Sequence, residues 1–366
     1  MTLRSVMVDD APRVSRGAFL VRAACNLGAR LAAACLLATL SGCAGAAKPA
    51  IPDAPPAAGA SFAREEPFVV RPFRPVNGER WIGNAVAYGP HRDGQRPGGA
   101  SPSRRELRED LDLMARHWSL LRVYQSTGPA ESLLAVIDEN RLGMKVMLGA
   151  WIDPVDAAAN RREIDAAVRL AARYPAIVLA VCVGNETQVS WSAHRCPPAT
   201  LIAALREIRA RTRVPVTTAD DYNFWNKPES QDVAREVDFV VTHMHPLWNG
   251  IQLEDAMGWT QRTLALIRAA QPDRPVVLGE VGWATQRNDL GDQGKLMKGR
   301  LGEAEQKVFF DELNAWIDRE RIPTFVFEAF DENWKGGGDP AEVEKHWGLY
   351  RADRTPKPAL GGAPRP

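Results

Sequence analysis

Cysteine is scarce in this chain. Of five among 366 residues, Cys25, Cys35 and Cys43 lie near the start, leaving only Cys182 and Cys196 in the body. A disulfide-stapled scaffold is excluded, and the spacing offers neither a zinc site nor a redox pair. Cys182 sits in a run that reads as a buried strand, so a small apolar core residue is expected there rather than half of a bridge to Cys196. An excess of one charge is also missing. Lys and Arg number 46 against 45 Asp and Glu, a net charge of +1, with the two signs interspersed. No basic face argues for nucleic acid, and no polybasic cluster argues for lipid headgroups. The apolar runs fall short of the roughly 20 residues that span a bilayer. A glycine-rich phosphate turn between strand and helix is absent too, which weighs against a doubly wound nucleotide-binding sheet.

What is present begins with an address. Arg16, Arg22 and Arg30 precede an apolar stretch from Leu31 to Leu40, followed by Ser41, Gly42 and Cys43. That pattern reads as a signal peptide over residues 1–43, and Leu-Ser-Gly-Cys resembles a bacterial lipobox in which Cys43 is lipidated and becomes the mature N-terminus. The leading segment is long for such a region, so translation starting at Met7 or later is compatible with it. Residues 44–67 are rich in Ala and Pro and poor in large apolar side chains, which predicts a disordered tether. The folded part is expected over 68–358, about 290 residues and the size of one α/β barrel, with a flexible tail over 359–366. The expectation is a monomer in the bacterial cell envelope, facing the periplasm or exterior, touching the membrane through its N-terminal lipid alone.

Within 68–358, short apolar runs alternate with amphipathic segments. Strands are expected at Trp81–Tyr88, Leu120–Tyr124, Lys145–Trp151, Ile177–Val183, Val214–Thr218, Asp238–His243, Pro275–Glu280 and Thr324–Phe330. Helices are expected at Ser103–His117, Pro129–Asn140, Pro154–Arg173, Pro198–Arg211, Ser230–Glu236, Leu253–Ala270 and Gly302–Glu320. Leu107, Leu111, Met114 and Trp118 recur at helical spacing behind Ser103, a plausible N-cap. Eight strands, each followed by helix or chain end, predict a single-domain (β/α)8 TIM barrel.

Two glutamates stand out on this frame. Glu186 follows the run Ile177–Val183, and Glu280 follows Pro275–Leu278. A carboxylate just past a buried strand costs desolvation energy unless it has a task or a partner, and barrel strand ends far apart in sequence converge in space. Two converging carboxylates are the machinery of glycoside hydrolysis. The other strand ends carry aromatic and ionisable residues in unusual density: Tyr88, Arg122, Tyr124, Trp151, Asn185, Asp220, Tyr222, His243, His245, Trp248, Trp283, Phe330, Asp331, Glu332, Trp334 and Lys335. Such a set suits sugar binding, with rings packing on pyranose faces and polar groups taking the hydroxyls.

At this point the chain resembles glycoside hydrolase family 17. The resemblance is carried by the stretches Ala85–Pro97, Leu120–Tyr124, Val146–Ile152, Val-Gly-Asn-Glu at Val183–Glu186, Val214–Ala219, Gly-Glu-Val-Gly-Trp at Gly279–Trp283, and Phe327–Lys335 followed by His346–Tyr350. They lie in family order at one per strand across nearly the whole barrel. The resemblance implies that Glu186 is the acid/base, that Glu280 is the nucleophile, and that the substrate is a β-1,3-linked glucan, with no cofactor and no metal. Where plant members carry Asn-Ile-Tyr-Pro-Tyr after strand six, this chain has His243, Met244, His245, Pro246 and Leu247, and looks closer to the bacterial branch. That branch includes glucan transglycosylases as well as hydrolases.

Competing structural readings accompany these assignments. Glu280 could be a buried ion-pair partner of Arg122, and Glu186 could cap a helix. Asp331 and Glu332 are rival carboxylates read here as binding or structural. His243 and His245 have His-x-His spacing but no further ligand nearby in sequence, which favours hydrogen bonding or packing over metal. Trp81, Trp118 and Trp316 are expected in the core. A carbohydrate-binding protein without catalysis is the remaining alternative, disfavoured by the presence of both glutamates and Asn185.

Overall fold

The structure, a computed structural model, describes residues 61–361. The expected signal peptide, Cys43 and most of the expected tether lie outside the described residues. A small antiparallel hairpin, β1 (Val76–Asn77) and β2 (Arg80–Trp81), precedes eight strands. These are β3 (Asn84–Ala87), β4 (Leu120–Arg122), β5 (Lys145–Ala150), β6 (Val178–Asn185), β7 (Val216–Asp221), β8 (Val240–His243), β9 (Val276–Val281) and β10 (Thr324–Val326). Neighbours pair in parallel, and β10 pairs with β3 to close the barrel. The fold is the expected TIM barrel.

Side-chain alternation divides the core in two. Along β5, Val146 and Leu148 point outward to the helices while Met147 points into the barrel, and along β9 Val276 and Leu278 flank inward Val277 in the same way. Strands buried on both faces read as near-continuous apolar runs for this reason. The outer layer is made by α1 (Arg104–Met114), α2 (Ala130–Glu139), α3 (Ala157–Arg173), α4 (Pro198–Arg211), α7 (Leu253–Ala270) and α9 (Glu303–Glu320), with short α5 (Tyr222–Trp225), α6 (Gln231–Ala234) and α8 (Gly291–Leu296) in the connections. The start of α1 is set by a capping box: Ser103 Oγ accepts from Glu106 N–H while the Glu106 carboxylate accepts from Ser103 N–H. Leu107, Leu111 and Met114 on its inner face are fully buried, and Trp118 is buried beyond its end.

Several boundaries differ from expectation. Trp81–Tyr88 is not one strand: β2 ends at Trp81 and β3 begins at Asn84, and between them Gly83 passes so close to the Trp81 ring that a Cβ would lie 2.5 Å from it. The expected helix Ser230–Glu236 reduces to a 3-10 turn at Pro228–Ser230 and the single turn α6. The regular ladder of the last strand stops at Val326, although Phe327 and Ala329 N–H still donate to the carbonyls of Val281 and Ala87. Packed chain also extends further than 68–358. Glu65 pairs with Arg209 (3.0 Å) and Arg64 with Glu236 (3.7 Å), while Ala359 and Leu360 are buried in a terminal 3-10 turn.

Candidate active site

At the C-terminal mouth of the barrel opens a cleft of about 2000 Å³. Glu186 and Glu280 both line it, as do Tyr124, Trp151, Asn185, Tyr222, His245, Trp248, Glu332, Trp334 and Lys335. Glu186 is brought there by an irregular strand end. The pairing of β6 with β7 slips between Cys182 and Asn185, Gly184 takes φ +73° and Glu186 itself takes φ +50°. A left-handed non-glycine residue costs about 1 kcal/mol or more and persists where the surroundings hold it. Here Glu186 N–H donates to Ala219 O at 2.9 Å. A side chain at 184 would crowd Thr187 at 2.8 Å, so glycine is required twice over, by torsion and by space. No helix begins between Glu186 and α4, so the capping alternative for Glu186 does not hold.

Glu280 is a buried carboxylate with a full set of donors. Its Oε1 accepts from Arg122 Nη1 at 2.7 Å and Tyr124 Oη at 3.0 Å, and Oε2 faces His245 Nε2 at 3.3 Å. The ion pair with Arg122 is real, yet Glu280 also lines the cleft, so pairing does not withdraw the side chain from it. Burial pushes Glu280 up, but His243, His245 and Arg122 outweigh it and hold the group well below the usual carboxylate range. With Oε1 engaged by a guanidinium and a phenol, Oε2 is the oxygen left more available to an electrophile. The same Glu280 raises its neighbours. Burial and then Glu280 push Tyr124 well above its ordinary value, and His245 rises despite burial because Glu280 accepts its hydrogen bond.

Arg122 also fixes Asn185. Its Nη2 donates to Asn185 Oδ1 at 2.6 Å, and since a guanidinium only donates, the Asn185 amide NH2 is the end left to donate into the cleft. Below, Asp220 and Asp221 are buried at the end of β7. Asp220 rises well above the usual range through burial and the nearby Glu186, although Gln188 and Asp221 N–H both donate to it; burial likewise pushes Asp221 up to about 7. His243 is fully buried between the glutamates, its Nδ1 3.4 Å from Glu186 Oε1 and its Nε2 3.5 Å from Glu280 Oε1. The His-x-His pair thus serves carboxylates, and among the described residues no group of three or more His, Cys, Asp or Glu is arranged to hold a metal.

A second polar cluster sits at the β10 side of the cleft. Lys335 Nζ contacts Glu332 Oε2 and Glu328 Oε2, both at 2.7 Å. Two buried carboxylates share one ammonium. Burial drives Glu328 well above its usual range, with Glu332 adding to it, while Lys335 and Trp334 overcome burial to hold Glu332 low. Gly89 makes room for this cluster, because a Cβ there would fall 2.3 Å from the Glu332 carboxylate.

Not every expected residue faces the cleft. Trp283 is buried against Phe309 and donates its indole N–H to Arg300 O; Phe330 is buried between Tyr88 and Tyr350; Asp331 turns inward to pair with Lys357 at 2.9 Å. Trp283 lies two residues past the end of β9, and Phe330 and Asp331 four and five past the end of β10, where the loop path rather than the residue type decides the direction. Tyr88 stays in the cleft wall with its hydroxyl donating to Asp110, and Arg122, Asp220 and His243 form the floor beneath the lining. Cleft residues that were not singled out include Trp191, His194, Trp259, Glu344 and Trp347. His194 meets Trp151 edge-on at 4.4 Å. Trp347 lies in the family-like stretch His346–Tyr350, a signal present in the sequence, whereas Trp259 projects from α7 and carries none.

The chain is similar to known proteins in sequence and fold. The BtgE/BtgC glycoside hydrolase domain family matches residues 85–348, from β3 to beyond β10. This chain belongs to that family. The glucan 1,3-beta-glucosidase of Schizosaccharomyces pombe is 28% identical over 268 residues, 68% of this chain and 78% of that protein. The btgC protein of Aspergillus niger is 28% identical over 282 residues, 71% of this chain but only 40% of that longer protein. Among solved structures, an endo-laminarinase from Formosa Hel1_33_131 superposes with TM-score 0.65 at 26% identity, covering 74% of this chain and 85% of that one. A family 17 beta-1,3-glucanosyltransferase from Rhizomucor miehei, at 23% identity and TM-score 0.61 over 75% of this chain and 96% of that one, shares the fold. The BtgE/BtgC match contains every cleft element described here, from Tyr88 to Trp347, and the protein is a glycosidase by family.

Proposed function

We propose that the chain cleaves β-1,3-linked glucan with retention, with Glu280 as nucleophile and Glu186 as acid/base. The observation that carries this is the unequal setting of two carboxylates that share one imidazole. Glu280 is buried among donors that keep it ionised, while Glu186 stands at the cleft surface with its side chain 21% exposed. In the first step Glu280 Oε2 bonds to the anomeric carbon as the glycosidic C–O bond breaks, and Glu186 gives its proton to the leaving oxygen. Glu186 then takes a proton from water, whose oxygen displaces Glu280 from the same carbon. The Asn185 amide donates to the sugar 2-hydroxyl, a contact that strengthens as the ring flattens. Trp151, Tyr222, Trp248 and Trp334 provide faces for glucose rings. The names of the relatives, glucan 1,3-beta-glucosidase and endo-laminarinase, support the substrate. Transfer to a second glucan uses the same intermediate, and chain-length analysis of products from a reduced laminari-oligosaccharide separates the two outcomes. We further propose that Cys43 is lipidated and that the enzyme works at the envelope surface, on the strength of the Leu40–Cys43 pattern, and that it does so as a monomer.

The decisive experiment uses an activated aryl β-glucoside or laminaribioside with azide. Glu186→Ala is still glycosylated, because a good leaving group needs no acid, and azide then restores turnover and yields the β-glycosyl azide. Glu280→Ala instead admits azide on the opposite face and yields the α-glycosyl azide. Swapped configurations at the anomeric proton by NMR reverse the two roles, and an inverted wild-type product overturns the retaining mechanism.

A further inference from the structure

His243, at the end of β8, has a place that the two-glutamate mechanism does not use. Its ring is fully buried, one nitrogen facing each carboxylate: Nδ1 to Glu186 Oε1 at 3.4 Å and Nε2 to Glu280 Oε1 at 3.5 Å. Space for it is reserved by Gly279, where a Cβ would stand 3.0 Å from the ring Cδ2 and 3.2 Å from Nε2. Nε2 makes no regular hydrogen bond among the described residues, which is rare for a buried ring nitrogen. Hydrogen bonds of catalytic groups are often long outside the substrate complex and tighten within it.

We propose that His243 is a positioning residue that holds the two glutamates in opposite protonation states, its Nε2–H donating to ionised Glu280 and its Nδ1 accepting the carboxyl proton of Glu186. This rests on the roles proposed above for the two glutamates. A neutral imidazole offers one donor and one acceptor, whereas a carboxylate only accepts and a carboxyl group donates. The ring is therefore satisfied on both sides when one neighbour is ionised and the other protonated, and mismatched on one side when both are alike. Other titratable groups surround this pair: Arg122 at the end of β4 and Tyr124 beyond it, both on Glu280 Oε1, Asp220 and Asp221 on β7, the strand paired with β8, and His245 two residues on. Arg122 and Tyr124 also support the Glu280 anion; the ring adds one more donor to it and the acceptor that Glu186 receives at Nδ1. After the first step Glu280 is an ester and Glu186 has lost its proton. Nδ1 then presents a lone pair to a carboxylate, which drives Glu186 to take a proton from the incoming water.

The test is the bell-shaped pH dependence of kcat/KM, whose acid limb reports protonation of Glu280 and whose alkaline limb reports loss of the Glu186 proton. Removing the ring raises the first and lowers the second. In His243→Phe and His243→Asn the bell should narrow from both sides, each limb moving inward by about one pH unit, the size of shift that one such contact produces. Turnover at the optimum should fall about tenfold, with KM held within about twofold. Unmoved limbs, or two limbs moving in the same direction, overturn the proposal even if activity or stability falls. Should neither variant fold, 15N NMR of the wild-type enzyme labelled at histidine decides: the Nε2–H tautomer across the plateau supports it, and an Nδ1–H tautomer or imidazolium overturns it. Glu280→Gln run alongside separates the two levels. Full turnover in that variant sinks the glutamate assignment itself, while a dead Glu280→Gln with an unchanged bell in the His243 variants sinks only the role of His243.

Discussion

Asp331 shows how little a residue type at a strand end says about its direction. It belongs to the run Phe327–Lys335, next to Glu332, and only one of the two reaches the cleft. Glu332 meets Lys335 and Trp334, while Asp331 turns inward, where its Oδ1 accepts from Lys357 Nζ and from Gly348 N–H, both at 2.9 Å. Burial pushes the Asp331 carboxyl up and the Lys357 ammonium down, so desolvation outweighs their attraction. Such a pair adds little stability as a unit, yet removing one partner strands the other. Asp331→Asn should therefore cost about 3 kcal/mol in urea unfolding and leave kcat of the folded enzyme nearly unchanged. Glu280→Gln, which also leaves a buried partner in Arg122, should differ in turnover, losing on the order of 10⁴-fold in the kcat of the folded enzyme. A loss of turnover in Asp331→Asn as deep as that would mean that the nucleophile has been placed on the wrong strand.

Elements were legible in proportion to their length and periodicity. The long helices α1, α3, α7 and α9 and the eight barrel strands follow from apolar spacing, since a strand buried on both faces leaves an unbroken run in the sequence. Glu186 and Glu280 were legible for a related reason, as charges standing where such a run ends. Short elements were not. α5 and α8 occupy single connections, too brief for a period to show, and α5 decides where Tyr222 points. The inward turn of Trp283 and Phe330 and the outward reach of Trp259 depend on loop paths that no local pattern records. α5 also supports a prediction of its own. Its N-cap is Asp221, whose side chain accepts from Asn223 N–H, and burial lifts this carboxyl to about 7, far above its value of about 3.9 in the unfolded chain. A group raised on folding contributes stability that is fully present below the unfolded value and lost as pH rises through the folded one. Wild type should thus lose stability relative to Asp221→Asn between about pH 4 and 7, by a few kcal/mol at most, and level off above. Parallel Tm-against-pH curves for the two proteins would show that Asp221 does not titrate as argued.

On the scale of the whole molecule, the two mouths of the barrel have different owners. The cleft occupies the C-terminal mouth, and the segment before β1 is strapped across the N-terminal one. Arg71 N–H donates to Asp238 Oδ1 at 2.7 Å, and its guanidinium donates to the carbonyls of Thr212 and Arg209, all just ahead of β7 and β8. Phe68 lies under Arg209 at 4.0 Å, and Phe73 stacks on Phe239 at 4.7 Å to plug the barrel floor. The chain therefore enters the fold on the side opposite the cleft. A lipid on Cys43, as proposed, holds the enzyme by that far side and leaves the cleft open to glucan, so anchoring and turnover are separable properties. Cys43→Ser should move the protein from the membrane to the soluble fraction of fractionated cells, with kcat/KM on a soluble laminari-oligosaccharide within about twofold of wild type, because the lipid acts through hydrophobic insertion alone and touches no group of the site. A Cys43→Ser protein that stays with the membranes would remove the lipid from the account. One released from the membrane but severely impaired on soluble substrate would mean that the strap, not the lipid alone, communicates with the cleft.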